Sequence, residues 1–181
     1  MKKSIFILVL LIGFFRVSYS QDNSNYWKLI DNKYFSVQVP NQNIRNIQNK
    51  PSLLKTFLGR LNPTLADVII DSISLQSGNE HIRCYMDISK CKLTKHQTDS
   101  IAPIIQKYIS DNAMTEFKNV ESEIRVRENS TLILVSFDGI KEHMTILVWI
   151  CNNYAISVSL EDVSKDYEMT KYLIENLTNK E

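Results

Sequence analysis

STLILVSFDGIKEHMTILVWICNNYAISVSL, residues 130–160, decides how the rest of this chain is read. Three apolar runs, Thr131 to Phe137, Ile140 to Cys151 and Tyr154 to Leu160, are separated by Asp138-Gly139 and Asn152-Asn153. Both dipeptides are residue types that accept the positive φ of tight hairpin turns, so the stretch predicts an antiparallel meander. A two-residue turn at Asn152-Asn153 sets Cys151 opposite Tyr154, Trp149 opposite Ile156 and Leu147 opposite Val158. The other face carries Ile146, Val148 and Ile150 and is just as apolar. A sheet that is apolar on both faces has to be covered on both.

Working outward, Glu123 to Arg127 alternates charge with Ile124 and Val126, as in a strand with one solvated face or an edge strand guarded against aggregation. Before it, Thr94 and Gln97 form a capping box that opens a helix striped by Ile101, Ile104, Ile105, Tyr108 and Ile109. Pro103 falls inside and predicts a kink or a restart. His81 to Ser89 alternates strictly, with Ile82, Cys84, Met86 and Ile88 on one face and Arg83, Tyr85, Asp87 and Ser89 on the other. A turn at Ser77-Gly78-Asn79 precedes it, and periodicity leaves Val68 to Leu75 open between helix and strand.

Pro51 opens a helix with apolar residues at 53, 54, 57, 58 and 61, and Asn62 is placed to cap a short second helix through Val68. Tyr34 to Val39 reads as a half-buried strand stopped by Pro40. At the other end, Ser164 or Asp166 caps a helix bearing Met169, Tyr172, Leu173 and Leu177. The aromatic pair Tyr26-Trp27 either pins its segment to the domain or stays exposed for a partner.

The chain opens MKKSIFILVLLIGFFRVSYSQ, with Lys2 and Lys3 before an apolar run and small residues Ser18 and Ser20 before Gln21. This is the layout of a secretory signal peptide over residues 1–20, cleaved near Ser20-Gln21. The run is shorter than the roughly 20 apolar residues of a membrane span, and no later segment approaches that length, so no span is expected. The mature part, residues 21–181, is expected to form one domain, its first residues 21–25 disordered. Cleavage takes three of the 21 basic residues and none of the 20 acidic ones, leaving 18 against 20 and a net charge of −2. That balance offers nothing to nucleic acid.

Cys84, Cys91 and Cys151 are an odd count, so one thiol stays unpaired within the chain. Cys84 and Cys91 could pair only through a chain reversal, and Cys84 with Cys151 only across neighbouring strands. The favoured reading makes Cys84 and Cys151 small buried hydrophobes.

The order of elements, together with NKYFSVQVP at residues 32–40 and the terminal meander followed by YEMTKYLIENL, resembles the PsbP-like family and its bacterial exported PsbP-like and DcrB-like members. The resemblance implies an α+β fold in which a mostly antiparallel sheet is sandwiched between helices. It also implies partner binding in place of catalysis. Fold analogy alone does not confer function.

The mature chain has too few glycines for a phosphate-binding loop and no recognisable catalytic motif, so no catalytic residue and no cofactor is expected. The sharpest constellation is the repeated pair Glu80-His81 and Glu142-His143, each on an expected strand. Were those strands neighbours in register, two imidazoles and two carboxylates could hold a metal ion. Three functions follow in order of preference: a non-catalytic binding or accessory protein of the bacterial cell envelope with an envelope protein as partner, a small metal-dependent hydrolase built on those four residues, and a carrier of a small apolar ligand.

Overall fold

The computed structural model describes residues 27–31, 35–40, 44–47, 52–61, 63–78, 82–151, 153–163 and 167–179. Expectations for the signal peptide, the cleavage point, residues 21–25, Tyr26, Asn62, Asn79, Ser164 and Asp166 fall outside them. In chain order the elements are β1 (Trp27–Asp31), β2 (Phe35–Pro40), β3 (Arg45–Ile47), α1 (Leu53–Leu61), α2 (Pro63–Ala66), β4 (Ile69–Gly78) and β5 (Ile82–Cys91). There follow α3 (Lys95–Met114), β6 (Lys118–Val126), β7 (Ser130–Asp138), β8 (His143–Cys151), β9 (Tyr154–Asp162), α4 (Glu168–Glu175) and β10 (Thr178–Asn179). Among the described residues no helix is long and apolar enough to cross a membrane.

A seven-stranded antiparallel sheet in the order β3-β4-β5-β9-β8-β7-β6 forms the centre. Its β8–β9 register pairs Cys151 with Tyr154, Trp149 with Ile156 and Leu147 with Val158, as the meander predicts. Asn153 takes the expected positive φ of 65°. The β7–β8 connection is longer than a two-residue turn. Asp138 pairs with His143, and the Gly139 N–H donates to the Glu142 carbonyl at 2.9 Å across a four-residue loop. Glu142 is therefore a loop residue, and Gly139 does not use a positive φ. The β4–β5 turn likewise lies beyond the expected Ser77, because both Ser77 and Gly78 still pair with β5. Val68 to Leu75 resolves in favour of strand, from Ile69 onward.

Both faces are covered. On one, Val148, Ile150, Ile133, Val135 and Phe137 pack under α3 together with Leu54 and Leu58 of α1. The contact stripe of α3 keeps Ile105 and Ile109 in the core with Ile101 and Tyr108 packed against it, and departs from the expected one at Ile104. Its buried residues are Thr98, Ala102, Ile105, Ile109, Ser110 and Ala113, while Ile104 is 52% exposed. Small side chains let the helix axis approach the sheet, so they mark the seam better than the large ones do. The helix also runs unbroken through Pro103. Pro103 and Asp99, whose carbonyl the ring leaves unbonded, are both exposed, and water can take the missing donor's place. The capping box forms as expected, with Gln97 N–H donating to Thr94 Oγ1 at 3.2 Å and Thr94 N–H to Gln97 Oε1 at 2.9 Å.

The opposite face buries Leu147, Trp149, Cys151, Ile156, Val158 and Leu160. Its cover is more sheet than helix: a three-stranded antiparallel layer, β1-β2-β10, with α4 beside it. Phe35, Val37 and Val39 of β2 and Leu173 of α4 reach inward from this layer. Trp27 pins β1, its ring 4.6 Å from that of Tyr172 on α4 and packed against the core. The architecture is α+β and mostly antiparallel.

Asp87 and Ser89, on the face expected to be polar, are buried. Asp87 Oδ2 accepts from the Leu53 N–H at 2.6 Å, and Oδ1 accepts from Ser74 Oγ at 2.5 Å. Ser52, also buried, adds its Oγ to the Lys55 N–H at 3.0 Å. The start of α1 is thus anchored to the sheet by a carboxylate, which satisfies donors that a helix N-terminus leaves free. All three cysteines are buried and unpaired. Burial pushes the Cys84 and Cys151 thiols up to about 12, and β9 separates their strands.

Candidate functional site

Of the four proposed metal-site residues, Glu142 and His143 lie among the described residues. Glu80 and His81 lie outside the described residues, immediately before β5. Glu142 sits in the β7–β8 loop and His143 begins β8. The condition for a four-ligand site was adjacency of the two strands, and β9 lies between them, pairing with both. Ile82 and His143 are each opposite Asp162, on its two sides. Two strand spacings of about 4.8 Å therefore separate β5 from β8. Among the described residues no cluster of three or more His, Cys, Asp or Glu side chains is placed to hold a metal ion.

What the structure builds around His143 is a different constellation. Asp138, His143 and Asp162 stand in one row across β7, β8 and β9, on the face that carries α4. His143 Nδ1 lies 2.9 Å from Asp138 Oδ1, and the imidazole stacks on Tyr167 with ring centroids 4.0 Å apart. Asp138 also accepts from Asn119 Nδ2 at 2.7 Å. Asn119 occupies a bulge of β6 with φ 52°, and Tyr167, at the start of α4, has φ 58°. Two of the described residues in left-handed backbone thus converge on the His143–Asp138 pair. Asp162, beside them in the row, turns its Oδ2 to the N–H and Oγ1 of Thr170, both at 2.8 Å.

The sequence pointed to His143 but to none of its partners. In the sequence Asp138 has the character of a turn residue, and Asn119 and Tyr167 carry no local signal, since each reaches the site through tertiary packing. Chemically the pair is an oriented imidazole: a carboxylate at Nδ1 and the Tyr167 ring fix its position. In a hydrolase this is one element of a general base.

The Asn119 amide, and secondarily His143, hold the Asp138 carboxyl below the usual carboxylate range. A lowered native pKa stabilises the fold above the unfolded value of about 3.9, and that contribution is lost as pH falls through the native value. A carbon-detected NMR titration of Asp138 is expected to show its midpoint moving up toward the ordinary range in Asn119→Gly. Glycine removes the amide and accepts the positive φ, so an unchanged midpoint would mean that the amide does not set it.

No protein-family model matches this chain, and no curated protein matches it. Among solved structures it is similar to cyanobacterial PsbP (CyanoP) from Synechocystis sp. PCC 6803, whose solution structure superposes with a TM-score of 0.50 at 10% sequence identity. The match covers 90% of this chain and 97% of that one. At this identity the likeness is one of fold, and the fold of this chain is PsbP-like.

Proposed function

We propose that this chain is an exported, non-catalytic accessory protein of the bacterial cell envelope that acts by binding a partner protein. The observation that carries the reading is the correspondence of fold with cyanobacterial PsbP over nearly the whole of both chains. The N-terminal residues, read as a signal peptide, supply the export half of the proposal. The end of the sheet marked by the Asp138–His143–Asp162 row is the surface we assign to the partner. Ile140, 97% exposed at the tip of the β7–β8 loop, lies there with Val163 and Tyr167, both also exposed. Exposed apolar side chains gathered at one end of a domain are the usual material of a docking surface.

The test is photo-crosslinking in the native host, with a photoreactive residue at position 140 and a control at Lys107 on the exposed face of α3. A single envelope protein captured at 140 and not at 107, and lost on Val163→Asp, supports the reading. Equal capture at both positions defeats it. The same purified protein should begin at Gln21; a retained N-terminus refutes the export half independently.

A further inference from the structure

We propose that β6 is a self-complementary sheet edge through which two copies of this chain pair antiparallel about Ile124. The strand closes one end of the seven-stranded sheet and, among the described residues, pairs with β7 alone. The Arg127 N–H donates inward, to the Ser130 carbonyl of β7 at 2.8 Å. Backbone direction alternates along an antiparallel ladder, so Arg125, Glu123 and Glu121 also face β7, and the N–H and C=O groups of Ser122, Ile124 and Val126 point outward. Those outward groups are a template for another strand.

The side chains specify which strand. Glu121, Glu123, Arg125 and Arg127 share one face, and Glu123 and Arg125 already meet on it, at 2.7 and 2.8 Å. The sequence ESEIRVR over residues 121–127 places two acids before Ile124 and two bases after it. When a second copy pairs with Ile124 opposite its own counterpart, Glu123 faces Arg125 and Glu121 faces Arg127, on both sides of the two-fold axis. These four pairs fall at the non-hydrogen-bonded positions, where opposed side chains stand closest. Slipping the register by two residues in either direction opposes Glu123 to itself or Arg125 to itself. Parallel in-register stacking opposes every charge to its like. The pattern therefore admits one antiparallel register and resists open-ended stacking, and a pair so formed closes on itself.

The opposite face adds apolar contact. Val126, 60% exposed, comes opposite Ser122, whose Oγ accepts from Gln106 of α3 at 3.1 Å, and Ile124, half-buried against the α3-covered core, comes opposite its counterpart. The bulge at Asn119 bounds the paired segment at its start.

Sedimentation velocity on protein purified from cells expressing the full chain is the test, over micromolar concentrations at low and high salt. Wild type is expected to reach twice the chain mass with rising concentration, more weakly at high salt because the pairs are exposed. The double variants Glu121→Arg/Glu123→Arg and Arg125→Glu/Arg127→Glu should each remain monomeric, and their mixture should recover a heterodimer. A monomeric wild type, dimers that persist in both variants, or a mixture that stays monomeric would each overturn the proposal. Hydrogen exchange on the wild type is a check that needs no variant: the Ser122, Ile124 and Val126 amides should gain protection with concentration, and constant exchange there refutes the pairing.

Discussion

Trp149→Ala is expected to lower the unfolding free energy by about 3–5 kcal/mol, as for other large aromatics deleted from a packed core. Trp149 is among the largest fully buried side chains and sits on β8 opposite Ile156 of β9 and Leu132 of β7. It also faces the covering layer. Phe35 of β2 meets it edge-on, with ring centroids 6.2 Å apart and planes at 73°, and meets Tyr154 in the same way at 5.7 Å. An edge-to-face pair adds about 0.5–1.5 kcal/mol beyond the area buried. The alanine variant therefore loses both the strand-to-strand filling and the joint between the two sheets. Urea unfolding followed by circular dichroism measures it, as a lower midpoint with an unchanged slope. Trp149→Phe should recover part of the loss, since a ring remains for Phe35 to meet. A cost under about 1 kcal/mol for the alanine variant would mean that the layers collapse onto the vacancy, and Trp149 would then not be the joint.

The position of Trp149 was legible because two local signals agreed. Period-two alternation set which side chains share a face, and Asn152-Asn153 set the register of the returning strand. The stripe of α3 was legible only in part. Counting large apolar residues selected Ile104, which is mostly outside, and passed over Ala102 and Ala113, which touch the sheet. A hydrophobic pattern records which residues avoid water, and it does not record where two backbones come closest. The cover of the second face was less legible still. Its β10 is two residues long, too short to carry any periodicity, and it is a strand because Thr178 and Asn179 meet Ser36 and Phe35.

The strand order beside the candidate site was not legible: β5 and β8 are not neighbours in the sheet. Glu142-His143 and Glu80-His81 look equivalent along the chain. Their relation depends on β9, which follows β8 in sequence and inserts between β8 and β5 in the sheet. No local feature of either pair encodes that insertion. The same limit explains the helix caps. The Thr94–Gln97 box spans three residues and can be read directly, whereas Asp87 serves the start of α1 from 34 positions away.

Asp162→Ala is expected to cost about 3 kcal/mol and to act chiefly on α4. Asp162 is fully buried, and its Oδ2 receives both the N–H and the hydroxyl of Thr170, in the first turn of the helix. Tyr167, at the N-cap, forms no side-chain cap bond, so the carboxylate from β9 does what a local Ser or Asp does elsewhere. Truncation strands two buried donors, each worth about 1–3 kcal/mol when left unsatisfied. Thr170→Val removes the hydroxyl and keeps the backbone donor, so it should cost less, about 1 kcal/mol. In the Asp162→Ala background Thr170→Val should cost less again, because its partner is already gone. Native-state hydrogen exchange locates the effect: amides of α4 from Thr170 to Asn176 should exchange faster while those of β7 and β8 keep their protection. Equal acceleration through β8 and β9 would show that Asp162 holds the ends of these central strands and that α4 is retained by its apolar contacts, Leu173 and Leu177 among them. Selective loss in α4 would establish that the helix is tied to the sheet through one carboxylate, next to the His143–Tyr167 stack that closes the same end.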